Sequence, residues 1–220
     1  MEYQSRGIDS NQQGVHDDLV KVVKKHLAAE FRKPIAAHSE AVFDEVQARV
    51  DAWTGPIVLD SCCGVGESTL HLATKHPEAL VIGVDKSAHR LSKNGSYGEA
   101  GERCVLVRAD LNDFWRQAVA AKWQPTHHYI LYPNPWPKAK HLQRRWHGGS
   151  LFPTILQLGG QLQLRSNWRI YLDEFAAALA LTGHSSVVDA LDETHQPMTP
   201  FERKYHATGQ VLWRLQSNLC

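Results

Sequence analysis

The chain has 220 residues, of which 43% are hydrophobic and 21% are charged, and its formal net charge is +1. This length and composition suit one globular domain with a hydrophobic core. No apolar stretch approaches the roughly 20 residues that a membrane-spanning helix needs, and the polar start of the chain lacks the apolar segment of a secretory signal. The sequence therefore predicts a cytoplasmic protein without a membrane partner, in which the four cysteines are reduced.

Two helices are predicted in the first quarter of the chain. Residues 1–13 are polar, and we expect them to be disordered. Hydrophobic residues recur near helical spacing over residues 15–31, and a second helix is predicted over residues 38–53. We expect these helices, within residues 14–54, to pack on a domain formed by residues 55–220.

From residue 56, short apolar stretches alternate with helical ones. Strands are predicted over residues 56–62, 79–85, 103–110, 127–133, 159–166, 185–191 and 209–216. Helices are predicted over residues 66–77, 87–95, 111–123 and 167–183. This alternation predicts an α/β fold with a doubly wound, mostly parallel sheet. Ligands of such sheets bind beyond the carboxyl ends of the strands, so functional motifs are expected directly after each strand.

The first strand leads into a glycine loop, Gly64-Val-Gly66, in which glycine permits a tight turn and close approach to a ligand. Glu67 opens the next helix, and an acidic side chain at that position disfavours a bound pyrophosphate. The third glycine of a dinucleotide-binding loop is also missing, which makes an oxidoreductase the weakest interpretation.

Acidic residues lie at the ends of three successive strands: Asp60, Asp85 and Asp110. Asp85 is placed to accept the hydroxyls of a ribose, and Asp110 to meet an adenine amino group. Together with the glycine loop they predict S-adenosyl-L-methionine as the cofactor, because it is cationic, carries ribose and adenine, and has no phosphate. The alternative is that these carboxylates only cap helices.

The fourth strand ends in Pro133-Asn-Pro-Trp-Pro137, and cationic residues follow. Proline fixes φ and lacks an N–H, so the stretch predicts a rigid corner that positions the amide of Asn134.

Residues 114–172 contain no Asp or Glu and hold Arg116, Lys122, Lys138, Lys140, Arg144, Arg145, Arg165 and Arg169. This segregation favours an anionic partner over one face, with chance clustering on a solvated surface as the alternative. Lys140, Arg144 and Arg145 are predicted to contact phosphates. The 13 histidines show no metal-ligand spacing, so we expect no metal.

The ordered motifs resemble those of the tRNA (guanine-N7)-methyltransferases over residues 55–215. The resemblance is carried by Asp60 with the glycine loop, by Gly83-Val-Asp85, by Ala109-Asp110, by Pro133-Asn-Pro-Trp-Pro-Lys138, and by Thr199-Pro-Phe-Glu202 within residues 198–215. It implies the Rossmann-like class I methyltransferase fold, S-adenosyl-L-methionine as cofactor and tRNA as partner. It also implies that Asn134 is catalytic and contacts both cofactor and guanine. Substrate contacts are implied for Lys138, Asn167, Thr199, Phe201 and Glu202, and the phosphates become those of RNA.

The chain departs from the family pattern at three places. Asn134 and Asn167 stand where the family has aspartate, and Ser61-Cys62 stands where it has a glycine. The two amides keep the shape of a carboxylate and lose its charge. We therefore expect either slow N7 methylation or a changed acceptor, which could be a small molecule or another RNA. A non-catalytic RNA-binding module on the same fold is a further hypothesis, and a monomer is favoured.

Overall fold

A seven-stranded sheet runs through the computed structural model, which describes residues 7–96, 101–192 and 194–220. Its strands are β1 (Ile57–Ser61), β2 (Leu80–Asp85), β3 (Cys104–Arg108), β4 (His127–Leu131), β5 (Gln161–Ser166), β6 (Ser186–Ala190) and β7 (Trp213–Asn218). Their order is β3-β2-β1-β4-β5-β7-β6, and only β7 is antiparallel to its neighbours within the described residues. The predicted doubly wound, mostly parallel sheet is confirmed. The chain order reverses between β1 and β4, so a crevice is expected at their carboxyl ends.

Eight α-helices surround this sheet in the described part of the chain. They are α1 (Leu19–Leu27), α2 (Ala37–Asp51), α3 (Glu67–Lys75), α4 (Ala88–Leu91), α5 (Leu111–Ala120), α6 (Phe152–Leu158), α7 (Arg169–Ala180) and α8 (Pro200–Ala207). Two of them, α6 and α8, were not predicted. Each has eight or fewer residues and begins with proline at its first turn, which shortens the periodic pattern that a helix leaves in a sequence.

Strand alternation sends apolar side chains to both faces of the sheet. On one face, Leu59 and its neighbours pack against α1, α2, α5, α6 and α7 in the larger core. On the other face, Val58 and Val81 pack with Leu72 of α3 in a smaller core. Because helices cover both faces, the strand ends form the accessible rim where a site can lie.

The N-terminal segment differs from the prediction of disorder over residues 1–13. Residues 1–6 lie outside the described residues, so that part of the prediction is not tested. Ile8, in contrast, packs against the larger core, and Ser10 and Gln12 form hydrogen bonds to distant parts of the chain. Polar composition alone suggested disorder, but these polar groups have partners that the sequence does not show.

No helix in the described residues combines the length and apolar character needed to cross a bilayer.

Candidate active site

The residues after β4 form a strained corner, which we define as residues 133–138. Tyr132 and Trp136 both adopt left-handed backbone conformations, with φ of 50° and 47°. Each precedes a proline, which normally forces the preceding residue into extended conformations. A non-glycine residue held in this region costs on the order of 1–3 kcal/mol and persists only where its surroundings impose it. The Tyr132 N–H donates to the Arg165 carbonyl at 2.9 Å, and the Trp136 N–H donates to Asn134 Oδ1 at 3.3 Å.

The glycine loop after β1 is also left-handed at Cys62, Gly64 and Gly66, with φ of 65°, 63° and 82°. A side chain at Gly64 would meet no atom of the described residues within 4 Å apart from its chain neighbours, whereas one at Gly66 would lie 2.6 Å from Asn94 Nδ2. Gly64 therefore leaves space open, and Gly66 is required by packing. Burial raises the pKa of the Cys62 thiol to about 12 and also raises the pKa of Cys63, so both thiols are poor nucleophiles.

A cavity of about 660 Å³ opens between this loop and the corner. Its walls come from the loops after β1, β2, β3 and β4 and from the start of α8. Among the predicted site residues, its lining includes Gly64, Asp85, Asp110, Asn134, Thr199 and Phe201, together with Arg144 at the rim. The volume is in the range of small-molecule sites.

Two of the three predicted carboxylates, Asp85 and Asp110, lie in the cavity wall. Asp85 accepts the Ser87 N–H through Oδ1 and the Gly64 N–H through Oδ2 at 3.1 Å, and its Oδ1 forms an ion pair with Arg90 at 3.0 Å. Asp110 caps α5 and accepts both the N–H and the side-chain amide of Asn112 through Oδ1. No described residue bonds Asp110 Oδ2. A carboxylate oxygen accepts two hydrogen bonds, so each residue retains room for a ligand donor.

The third carboxylate, Asp60, lies beneath the cavity and is fully buried. Its Oδ2 accepts hydroxyl hydrogens from Ser68 and Thr69 of α3 at 2.6 and 2.8 Å, and its Oδ1 has no partner in the described residues. Burial raises the pKa of Asp60 to about 6. The prediction that Asp60 and Gly66 bind the cofactor directly is not supported by their positions. Asp60 instead bonds the first turn of α3, and Gly66 is the residue that precedes this helix.

The acidic residue at the start of α3 also has a partner. Glu67 is almost fully buried and accepts hydrogen bonds from the guanidinium of Arg203 in α8, one of them at 2.8 Å. The carboxylate that we expected to repel a pyrophosphate is therefore part of an ion pair that joins α3 to α8.

Three predicted contact residues are held by the protein itself. Arg145 was predicted to contact phosphate, but its side chain is 0% exposed and pairs with Glu174 at 2.5 Å, so this prediction is wrong. Glu202 was predicted to bind substrate, but it is fully buried and pairs with Arg165 at 2.6 Å. Asn167 donates to Gln210 Oε1 at 2.8 Å and does not line the cavity. The sequence motifs placed these three residues near the site, but they could not show the direction in which each side chain points.

The other predicted contact residues of this stretch reach solvent, and their contacts with substrate and phosphate stay predictions. Lys138 and Lys140 are exposed beside the cavity without lining it, and the Arg144 guanidinium stacks on the Trp136 ring at 4.7 Å. The cavity also has cationic residues that sequence reasoning missed, Lys86, Arg90 and Lys93. Lys86 directly follows the strand that ends in Asp85, and Arg90 and Lys93 come within the next turns of the chain. This position after a strand end is the signal that could have indicated them.

Two comparisons identify the family. Residues 54–215 match the family model described as "Putative methyltransferase". A tRNA (guanine-N(7)-)-methyltransferase of Mycobacterium ulcerans is 30% identical over 216 residues, covering 86% of this chain and 73% of the relative. The chain belongs to the tRNA (guanine-N7)-methyltransferase family. Another protein of that name, from Pseudoalteromonas atlantica, is 27% identical and covers 90% of this chain and 85% of its own length.

Solved structures agree on the fold of this family member. An antibiotic-related methyltransferase superimposes with a TM-score of 0.59 at 16% identity, covering 84% of this chain and 96% of its own. A 16S rRNA (adenine(1408)-N(1))-methyltransferase from Catenulisporales acidiphilia, solved with its cosubstrate SAM, gives a TM-score of 0.52 at 17% identity, covering 80% and 90%. These likenesses confirm the Rossmann-like methyltransferase fold.

Proposed function

We propose that this chain transfers the methyl group of S-adenosyl-L-methionine to guanine N7 of tRNA. The observation that carries the proposal is that the glycine loop and the corner face one cavity in a member of the tRNA (guanine-N7)-methyltransferase family. The predicted location in the cytoplasm is part of this proposal, because tRNA is the substrate.

The residues of the cavity fit the cofactor. Its ribose and adenine carry hydroxyl and amino donors, and the free acceptor positions of Asp85 and Asp110 lie in the wall. Gly64 leaves the loop open on the same side, since no other part of the described chain comes within 4 Å of the position a side chain would take. Asp85, Asp110 and Gly64 would therefore hold the nucleoside, and the corner is left for the acceptor base.

When bound, S-adenosyl-L-methionine would supply an electrophilic methyl group on a sulfonium, and guanine N7, whose lone pair is unprotonated at neutral pH, would need no general base. The residues of the chain must therefore align the base rather than ionise it, and alignment alone can contribute several kcal/mol. Asn134 in the cavity wall can hydrogen-bond the edge of the guanine. Glu202 adds no free charge there, because Arg165 neutralises it.

Asn134 makes this site electrostatically weaker than a site with aspartate. Positive charge moves to the guanine ring as the methyl group transfers, and a nearby carboxylate stabilises that charge better than an amide. Removal of one well-placed electrostatic contact costs about 10²–10³ in rate in other enzymes. We therefore expect Asn134 to lower the rate and to leave the alignment intact.

The proposal is tested with purified protein, labelled cofactor and tRNA transcripts made with either guanosine or 7-deazaguanosine. We expect label only in the guanosine transcript, recovered as 7-methylguanosine by mass spectrometry of the nucleosides. Label in another nucleoside, or only in a metabolite fraction, would assign a different acceptor. Cofactor binding in calorimetry without any transfer would support the RNA-binding module.

The same assay tests the electrostatic role of position 134. Asn134→Asp should raise kcat on tRNA by about 10-fold or more, since a carboxylate faces the developing charge. Gln143→Glu is the matched control, because Gln143 is exposed in the same basic stretch and outside the cavity lining. An unchanged kcat for Asn134→Asp would point to a different acceptor.

A further inference from the structure

The corner has few backbone N–H groups with which it could stabilise its own conformation. Pro133, Pro135 and Pro137 have no N–H groups, so the loop makes few backbone hydrogen bonds of its own. Trp136 nevertheless keeps a left-handed conformation before Pro137. Strain of this kind requires support from neighbouring groups. The carbonyl oxygens of the corner are where that support is found.

One buried guanidinium binds those carbonyls. Arg145 donates to the Trp136 carbonyl from Nε at 3.2 Å and from Nη2 at 3.0 Å, and Nη2 also reaches the Lys138 carbonyl at 3.3 Å. The guanidinium lies over the ring of Trp168, 4.9 Å from its centroid. The planar fork of arginine therefore supplies the donors that three prolines removed.

A carboxylate fixes this guanidinium from the other side. Glu174 of α7 is fully buried and accepts from Arg145 Nη1 at 2.5 Å and from His147 Nε2 at 2.9 Å. It also accepts the His16 N–H at 3.0 Å. Burial opposes ionisation, but the hydrogen bonds and charges of His147 and Arg145 lower the pKa of Glu174 to about 2, so the carboxylate is charged. A buried ion pair with this many partners holds one geometry.

The N-terminal segment completes the support. Ser10 Oγ donates to the Pro137 carbonyl at 2.6 Å, and Asn11 Oδ1 accepts the Ala139 N–H at 3.0 Å. Gln12 Oε1 accepts from Arg145 Nη2 at 3.0 Å, while Gln12 Nε2 donates to Glu174 at 2.5 Å. Residues 10–12 therefore contact the corner, the guanidinium and the carboxylate at once, more than 120 positions away from the corner in the sequence.

We propose that Arg145, fixed by Glu174 and Gln12, is a positioning residue that holds the corner and thereby aims Asn134 at the acceptor base. The proposal rests on the proposed function, because it assigns the corner to alignment of guanine. Loss of this support should release Trp136 from its strained conformation and shift Asn134. A shift of about 1 Å in such a group can reduce a rate by about 100-fold.

The test compares two adjacent glutamines. Gln12→Ala removes one contact to Arg145 and one to Glu174, whereas Gln13→Ala changes an exposed side chain without a described contact. We expect Gln12→Ala to lower kcat about 10-fold with KM for tRNA and Kd for the cofactor within about twofold, and Gln13→Ala to match wild type. Arg145→Lys keeps the positive charge and loses the fork, so a larger fall in kcat is expected.

A second readout does not depend on activity. Hydrogen–deuterium exchange of the amides at residues 134, 136, 138 and 139 should accelerate in Gln12→Ala at unchanged melting temperature, should accelerate further in Arg145→Lys, and should not change in Gln13→Ala. Unchanged exchange with unchanged kcat would overturn the proposal, as would a fall in kcat that only follows a fall in melting temperature. If wild type does not methylate guanine N7 while exchange still responds, the proposed function fails and the positioning role remains.

Discussion

At the scale of single residues, Asp60 shows how one strand position decides a role. Its neighbours Leu59 and Ser61 face the opposite side of β1, since side chains alternate along a strand. Asp60 therefore points toward Ser68 and Thr69 of α3, and not outward with the rim. The sequence correctly placed a carboxyl group at the end of a buried strand. It could not show the direction of the side chain, because the exact end of a strand is the least certain part of a prediction.

The buried carboxyl of Asp60 should make stability depend on pH. Its pKa is raised to about 6 in the folded chain, against an ordinary value of 3.8. Below about pH 4 the Asp60 carboxyl is protonated in both the folded and the unfolded chain, so no stability is lost to burial of a charge. As pH rises from about 4 to 6 the unfolded chain ionises first, so the free energy of unfolding falls by about 3 kcal/mol and then stays level.

We expect Asp60→Asn to abolish this fall, because the amide does not titrate. The free energy of unfolding of the variant relative to wild type should therefore rise by about 3 kcal/mol between about pH 4 and pH 7.5. Urea unfolding at the two pH values measures it. Asp44→Asn, at an exposed position of α2, is the control for the change in net charge. A difference that stays constant with pH would show that Asp60 ionises normally.

At the scale of elements, helix α8 brings a distant part of the chain to the site. Thr199 caps the helix by accepting the Glu202 N–H at 3.0 Å, and Phe201 lies at the cavity with 47% of its surface exposed. Glu202 fixes the helix to the sheet through Arg165 of β5. The β-branched runs made the strands predictable from sequence. The docking of α8 was not, because it depends on ion pairs between residues that are 37 and 136 positions apart in the sequence.

Breaking the ion pair between α8 and β5 should destabilise the fold. Glu202→Gln leaves the guanidinium of Arg165 buried without a counter-charge, which typically costs about 3–5 kcal/mol. We expect a lowered midpoint in urea unfolding together with faster exchange of the α8 amides.

The matched control is Glu45→Gln, an exposed position on α2, which should change the free energy of unfolding by less than about 0.5 kcal/mol. Full stability of Glu202→Gln, accompanied by a raised KM for tRNA, would instead return Glu202 to the role in substrate binding that the sequence predicted.

At the scale of the whole molecule, the cations of residues 114–172 include some that form ion pairs within the protein and others that remain exposed. Arg145 and Arg165 form buried ion pairs, and Arg169 lies 3.4 Å from Asp173. The exposed cations Lys138, Lys140 and Arg144 remain around the cavity. A count of charges along the chain therefore predicts an anionic partner, but it overestimates the positive charge that reaches solvent. Whether a cation reaches solvent depends on partners that lie in other segments.

The exposed cations predict how salt affects tRNA binding. Each phosphate contact contributes about 0.7–0.9 to the slope of log K against log salt concentration. Replacing Lys140 and Arg144 with alanine should reduce that slope by about 1–2 and weaken binding to all tRNA sequences equally.

Lys122→Ala is the control, because Lys122 follows α5 and precedes β4, at the opposite end of the sheet from the cavity. Filter binding at several salt concentrations measures the slopes. An unchanged slope for the double variant, or an equal change in Lys122→Ala, would show that tRNA approaches another face.

The contacts of residues 10–12 with the corner also decide how the protein should be handled. Anything fused upstream of residue 7 sits only a few residues from the carbonyls that Ser10 and Arg145 bind. Cys220, by contrast, lies where its sulfur accepts the Gly160 N–H, just before β5 begins and thus at the far end of the sheet. An affinity tag or a surface attachment placed at that end leaves the catalytic rim free. The same tag at the other end would disturb the contacts of residues 10–12 with the corner.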